Sequence, residues 1–154
     1  DVASVQRCRT AGLDDHPRLV VVSASLRLPD DLPLFGGDGQ EPVVVHPASS
    51  DTTGVPAGVE LRVAGDETVD LRAALEGLHA DGMGVVLCEG GPHVFGALAE
   101  ADLVSEVCLT LSPVLVGGDV GRILRGTPER EHAMRLVHAL SDDDGFVFLR
   151  YRAG

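Results

Sequence analysis

The amino-acid sequence predicts an α/β fold, with strand–helix units suited to parallel pairing in the middle of the chain and an antiparallel hairpin at its end. Three observations carry that reading. Short, continuous β-branched runs recur through the first two-thirds, as strands buried on both faces require. Apolar residues fall at helical spacing between and after them. Two alternating segments close the chain around Ser141-Asp142-Asp143-Asp144-Gly145, a composition that turns a hairpin.

Residues 1–16 are polar and weakly periodic, the remnant of a helix or a tether. Leu19-Val20-Val21-Val22 reads as a fully buried strand, and residues 28–41 form a Pro/Gly/Asp loop. Pro42–Pro47 holds a second buried strand between prolines, and Val59–Val63 alternates like a third. Asp70 caps a helix in which Leu71, Leu75 and Leu78 share one face, and Asp81-Gly82 ends it. Gly84-Val85-Val86-Leu87-Cys88 is the next buried strand. Pro92 then opens a helix that turns Val94, Phe95, Leu98 and Ala101 inward. Val107–Leu111, Ala133–Leu140 and Phe146–Arg152 complete the strands.

The chain has 154 residues, enough for one domain with a real core. Its net charge is −12 and no basic run interrupts it, which argues against nucleic acid and anionic membranes as partners. No apolar run approaches the ~18 residues of a membrane helix. Every basic residue is arginine; without lysine there is no P-loop and no Schiff-base chemistry. Cys8, Cys88 and Cys108 form no CxxC pair, and Cys88 and Cys108 read as buried free thiols in a reducing cytoplasm. No histidine spacing suits a metal. His132 and His138, six apart, read as neighbours on one strand face.

In open α/β sheets ligands bind beyond the carboxyl ends of strands, where the next helix begins. Residues 84–95 have that layout, with Glu89-Gly90-Gly91-Pro92 at the junction. The glycines admit a tight turn and a close approach of backbone to a bulky anion. The helix from Pro92 points free N–H groups at the same place. A diphosphate and a merely structural turn both satisfy this pattern.

The stretch from Val86 to Leu98, then Ala101–Val107 and Leu111–Gly118, resembles the reductase domain of riboflavin biosynthesis, which shares the dihydrofolate reductase fold. The likeness covers roughly residues 17–152. It implies a dihydrofolate-reductase-like mixed, mostly parallel sheet with flanking helices and the C-terminal hairpin. It also implies hydride transfer from NADPH to a ribosylamino-pyrimidine phosphate, whose ribose is reduced to a ribityl chain. By the same resemblance Gly90, Gly91, Pro92 and the N–H groups of His93 and Val94 cradle the cofactor diphosphate. Ser23, Ser25 and Arg27 meet the adenosine ribose and its 2′-phosphate, and Glu89 faces the substrate as the catalytic residue.

The family's domain begins with further strands that have no counterpart before residue 17, so residues 1–154 are expected to be a single reductase-like domain lacking its N-terminal strands. The resemblance further implies a cytoplasmic homodimer. Two other readings stand beside it: a reductase of a pterin or dihydrofolate, and a nucleotide-binding module without turnover. Without the family, Glu89 reads as a solvated carboxylate, Ser23 and Ser25 as turn residues, and Arg27 as a surface charge.

Overall fold

The proline-bounded run Val43-Val44-Val45 organises the first part of the chain, and all three valines are buried. The computed structural model describes residues 2–29, 41–56, 58–119 and 121–154. The chain divides into two compact units, residues 1–83 and 84–154.

In the first unit, α1 (Val2–Thr10) buries no side chain, and its Arg9 pairs with Asp15. Strands β1 (Val20–Val22), β2 (Val43–His46) and β3 (Glu60–Val63) form a parallel sheet in the order β1-β2-β3. The middle strand is saturated by ladders on both sides, so it takes the burial expected of Leu19–Val22. Flanking β1 is only half-buried, and Leu19 is exposed. Val43, Val45 and Ala64 form the core cluster, with Val20, Val69 and Ala74 packed on it. Helix α2 (Leu71–Ala80) starts as its sequence dictates: the Asp70 carboxylate accepts from the Ala73 N–H at 3.0 Å. It closes at Gly82, whose φ of +89° is a conformation glycine takes without strain. Arg62 of β3 bonds both Glu60 and Asp81, tying the strand to the end of α2. Most of the loop expected over residues 28–41 lies outside the described residues.

The second unit holds α3 (Pro92–Glu100), β4 (Glu106–Leu111), β5 (Met134–Ser141) and β6 (Val147–Ala153). Its sheet is antiparallel in the order β4-β6-β5. The hairpin turn is built on Asp142, whose Oδ1 accepts from the N–H groups of Asp144 (3.1 Å) and Phe146 (2.9 Å); Gly145 sits at φ +85°. In register, Val107, Leu109 and Leu111 share a face with Tyr151, Leu149 and Val147, while Glu106 and Cys108 share the other with Arg152 and Arg150. The mixed α/β class is therefore as the sequence predicts.

Four local expectations are corrected. Residues 84–88 form no strand. A strand exists through its ladder, and no described segment pairs with this one, so Val85 and Leu87 stand 93% and 79% exposed. Cys88, in that segment, and Cys108, on the polar face of β4, are exposed rather than buried. In α3 the buried positions are Gly96 and Ala99, with Val94, Phe95, Leu98 and Ala101 half-buried; at Gly96 the missing side chain lets the Arg125 backbone come close. Finally, His132 precedes β5, and a β-bulge separates Leu136, opposite Tyr151, from His138, opposite Arg150. Val137 is the extra residue, so spacing along the sequence no longer tells which face a side chain takes.

Candidate functional site

The residues singled out by the sequence fall into two groups, one in each unit. In the first unit the Ser23 N–H donates to the Val45 carbonyl at 3.0 Å and ends the β1 ladder. The chain then turns: Ser23 Oγ accepts from the Leu26 N–H at 3.1 Å and Ser25 Oγ from the Arg27 N–H at 3.4 Å. Leu26 is buried at φ +49°, a strained setting for a branched side chain, which these two hydroxyls help hold. Ser50 Oγ donates to the Ala24 carbonyl at 2.8 Å and braces the turn from the β2–β3 connection. The turn reading of both serines is therefore correct, and each hydroxyl keeps its own hydrogen to donate. Arg27 projects from this turn as an exposed side chain.

In the second unit Glu89, Gly90, Gly91, Pro92, His93 and Val94 are consecutive at the N-terminus of α3. Gly91 is the N-cap and Pro92 the first helical residue. The first i→i−4 bond runs from the Phe95 N–H to the Gly91 carbonyl at 3.2 Å. The N–H groups of His93 and Val94 precede it, and no side chain caps them. No acidic residue occupies the first turn. Gly91 has φ −61°, so the backbone does not require glycine there. What glycine provides is space: a Cβ at Gly91 would meet nothing within 4 Å, and one at Gly90 would only touch Cys88 and Val94. Glu89 and both glycines are exposed. Open space below unpaired amides at a positive helix end is what a diphosphate fits.

The sequence reading missed the segment that braces this turn. The Arg125 N–H donates to the Pro92 carbonyl at 3.0 Å. A Cβ at Gly96 would collide with the Arg125 carbonyl oxygen, and one at Gly126 (φ +78°) would come within 3.1 Å of His93 Cδ2. Residues 125–127 therefore lie on the first turns of α3, where Gly96 leaves room for them. A glycine in mid-helix, with Gly121 and Gly126 downstream, was the available signal. At the other end of α3, Arg130 bonds the Glu100 carbonyl at 3.3 Å and both Asp102 oxygens at 3.1 Å. Beside it a cavity of about 470 Å³ opens between Ala99 and the Arg122–His132 loop. Among the described residues no cluster of His, Cys, Asp and Glu could hold a metal, and no helix is long and apolar enough to cross a membrane.

Comparison with known proteins bears on the whole chain. The model of the RibD C-terminal domain matches residues 3–148. The chain is 29% identical over 109 residues to the 2,5-diamino-6-ribosylamino-4(3H)-pyrimidinone 5′-phosphate reductase of Archaeoglobus fulgidus, covering 70% of this chain and 50% of that protein. To the reductase of the same name from Methanothermobacter thermautotrophicus it is 32% identical over 129 residues, covering 79% and 59%. The chain thus spans between 50% and 59% of the length of these curated relatives. A pyrimidine reductase-like protein from Corynebacterium diphtheriae superposes with a TM-score of 0.83 at 22% identity, over 97% of this chain and 66% of that one. RibD of Acinetobacter baumannii does so with a TM-score of 0.72 at 19% identity, over 90% and 38%. At these identities the solved structures speak for the fold, which is the dihydrofolate-reductase-like one.

Proposed function

The chain belongs to the RibD C-terminal domain family, and on that footing we propose that it is a reductase of a ribosylamino-pyrimidinone phosphate that uses NADPH in riboflavin biosynthesis. The observation that carries the reading is the Glu89-Gly90-Gly91-Pro92 junction: an exposed carboxylate, an open glycine pair and two uncapped amides follow one another at a helix N-terminus. The names of the curated relatives supply the substrate class. A single family model running from residue 3 to residue 148 supports treating both units as parts of one domain.

When bound, NADPH supplies the hydride. The residues of this chain bind, orient and manage protons. The N–H groups of His93 and Val94 donate to the diphosphate, and Gly90 and Gly91 leave it room. Such backbone donors suit a chain of net charge −12 that has no lysine. Ser23 and Ser25 donate to the adenosine ribose, and the exposed Arg27 pairs with the 2′-phosphate through charge-assisted bonds. Glu89 accepts hydrogen bonds from the hydroxyls of the sugar being reduced and handles the proton there.

Titration with NADPH and NADH tests the cofactor. NADPH should bind at least about tenfold more tightly, as one charge-assisted arginine–phosphate contact supplies, and Arg27→Gln should remove most of the difference. Equal dissociation constants in the unaltered protein would overturn the assignment. Oxidation of NADPH driven by dihydrofolate, and not by the pyrimidinone phosphate, would replace the substrate.

A further inference from the structure

One face of the sheet in the second unit is basic, in a chain whose net charge is −12. In register, Arg135 of β5 stands directly opposite Arg152 of β6, and His138 opposite Arg150. These four residues make a two-by-two block across the two strands. Side chains so placed have Cβ atoms about 5 Å apart, and like charges there repel. Glu106, across from Arg152 on β4, offsets part of the charge. Its Oε2 accepts from Arg150 at 2.9 and 2.6 Å and its Oε1 from Arg152 at the same two distances. Among the described residues no other carboxylate is in register on this face, so three arginines stand against one glutamate. Arg135 and His138 are exposed, and Arg150 and Arg152 are 41% and 51% so.

An irregularity of the backbone sets this arrangement. In a regular strand Val137, two residues after Arg135, would share its face. The bulge at Val137 brings His138 onto that face instead, opposite Arg150. Bulges disrupt the ladder and re-aim side chains. The next row holds Phe148, flanked by Thr110 and Leu140, a residue 41% exposed.

We propose that Arg135, His138, Arg150 and Arg152 form a binding site for a phosphate monoester, separate from the glycine pair at α3. Glu106 orients two guanidinium groups side by side and leaves their remaining N–H donors free, the forked geometry that phosphate oxygens match. A small dianion cancels the excess of two arginine charges over the single glutamate. A second copy of the chain fits poorly, because a two-fold contact would set the basic block against itself. A long polyanion is repelled by the net charge, whereas a small ligand feels mainly the charges within about a Debye length, ~8 Å at physiological salt. Phe148 offers a ring face to a heteroaromatic group carried by the phosphate.

The test is calorimetric titration of the full chain with inorganic phosphate and with adenosine 5′-monophosphate. Both should bind, the nucleotide more tightly. Arg135→Gln, at an exposed position, should weaken both at least about tenfold, and Arg135→Lys should weaken them less. Unchanged unfolding midpoints certify the variants. Phosphate or nucleotide binding that survives Arg135→Gln undiminished would place the site elsewhere and overturn the proposal. Absence of binding by either probe to the unaltered chain would overturn it as well.

Discussion

Two helical glycines should respond in opposite directions to the same substitution. Gly77 lies inside α2, where an added methyl group would meet nothing within 4 Å, and Gly96 lies inside α3 against the backbone of Arg125. At Gly77, alanine removes conformational freedom from the unfolded chain and should stabilise by about 0.5–1 kcal/mol. At Gly96 the same gain is opposed. The new methyl group collides with the Arg125 carbonyl oxygen and lies 3.2 Å from both Arg125 N and Thr127 Cγ2. Backbone cannot rotate aside as a side-chain tip can, so residues 125–127 must move. Overpacking of this kind costs about 1–3 kcal/mol, and losing the Arg125-to-Pro92 bond costs about 1 kcal/mol more. After the helix gain of about 1 kcal/mol, Gly96→Ala should destabilise by about 1–3 kcal/mol. Thermal unfolding followed by circular dichroism reads the outcome, at about 2–4 °C per kcal/mol for a chain of this size. Midpoints that move the same way in both variants would refute the argument from packing.

Gly91→Val should leave the fold intact, because φ is −61° and the space is open, while cofactor affinity falls about tenfold or more in a direct titration. Glu89→Gln should lower turnover in steady-state assays with little change in cofactor affinity, since the amide keeps the size and one acceptor but not the charge. The Glu106 carboxyl is held below its ordinary value of 4.5 by hydrogen bonds from Arg152 and then Arg150. A pKa depressed by folding means that its stabilisation is complete above the unfolded value and fades as pH falls through the folded one. The stability difference between the unaltered protein and Glu106→Gln, measured by urea unfolding across acid pH, should therefore shrink below about pH 4.5.

Elements that depend on near neighbours were legible in the sequence. Asp70, the leucines at helical spacing and Asp81-Gly82 announce α2 from within fifteen residues, and the acidic turn announces the β5–β6 hairpin. The glycine pair and Pro92 likewise mark the start of α3. Elements that depend on distant partners were not. An apolar run such as Gly84–Cys88 becomes a strand only if a ladder forms beside it, and no local pattern reports that. Whether β1 or β2 takes the central place is a matter of sheet order. Both serine hydroxyls turned out to hold the buried, left-handed Leu26, a demand invisible until the turn is seen. The Val137 bulge reverses the face assignments that alternation gives for His138. The bracing of α3 by residues 125–127 joins positions some thirty residues apart. Gly96 marks only half of that contact.

The Asp142 turn has a consequence for the order of assembly. It closes the β5–β6 hairpin across five residues, whereas β4 must find β6 over some thirty-five (Leu111 opposite Val147). Closing a short loop costs less chain entropy and is reached sooner than a long one. The hairpin is thus available as a template before β4 docks, and β6, which carries both ladders, is the strand on which the sheet grows. Removing the Asp142 carboxylate should accordingly act on the refolding rate more than on the unfolding rate in a stopped-flow chevron, because the turn is already formed at the barrier.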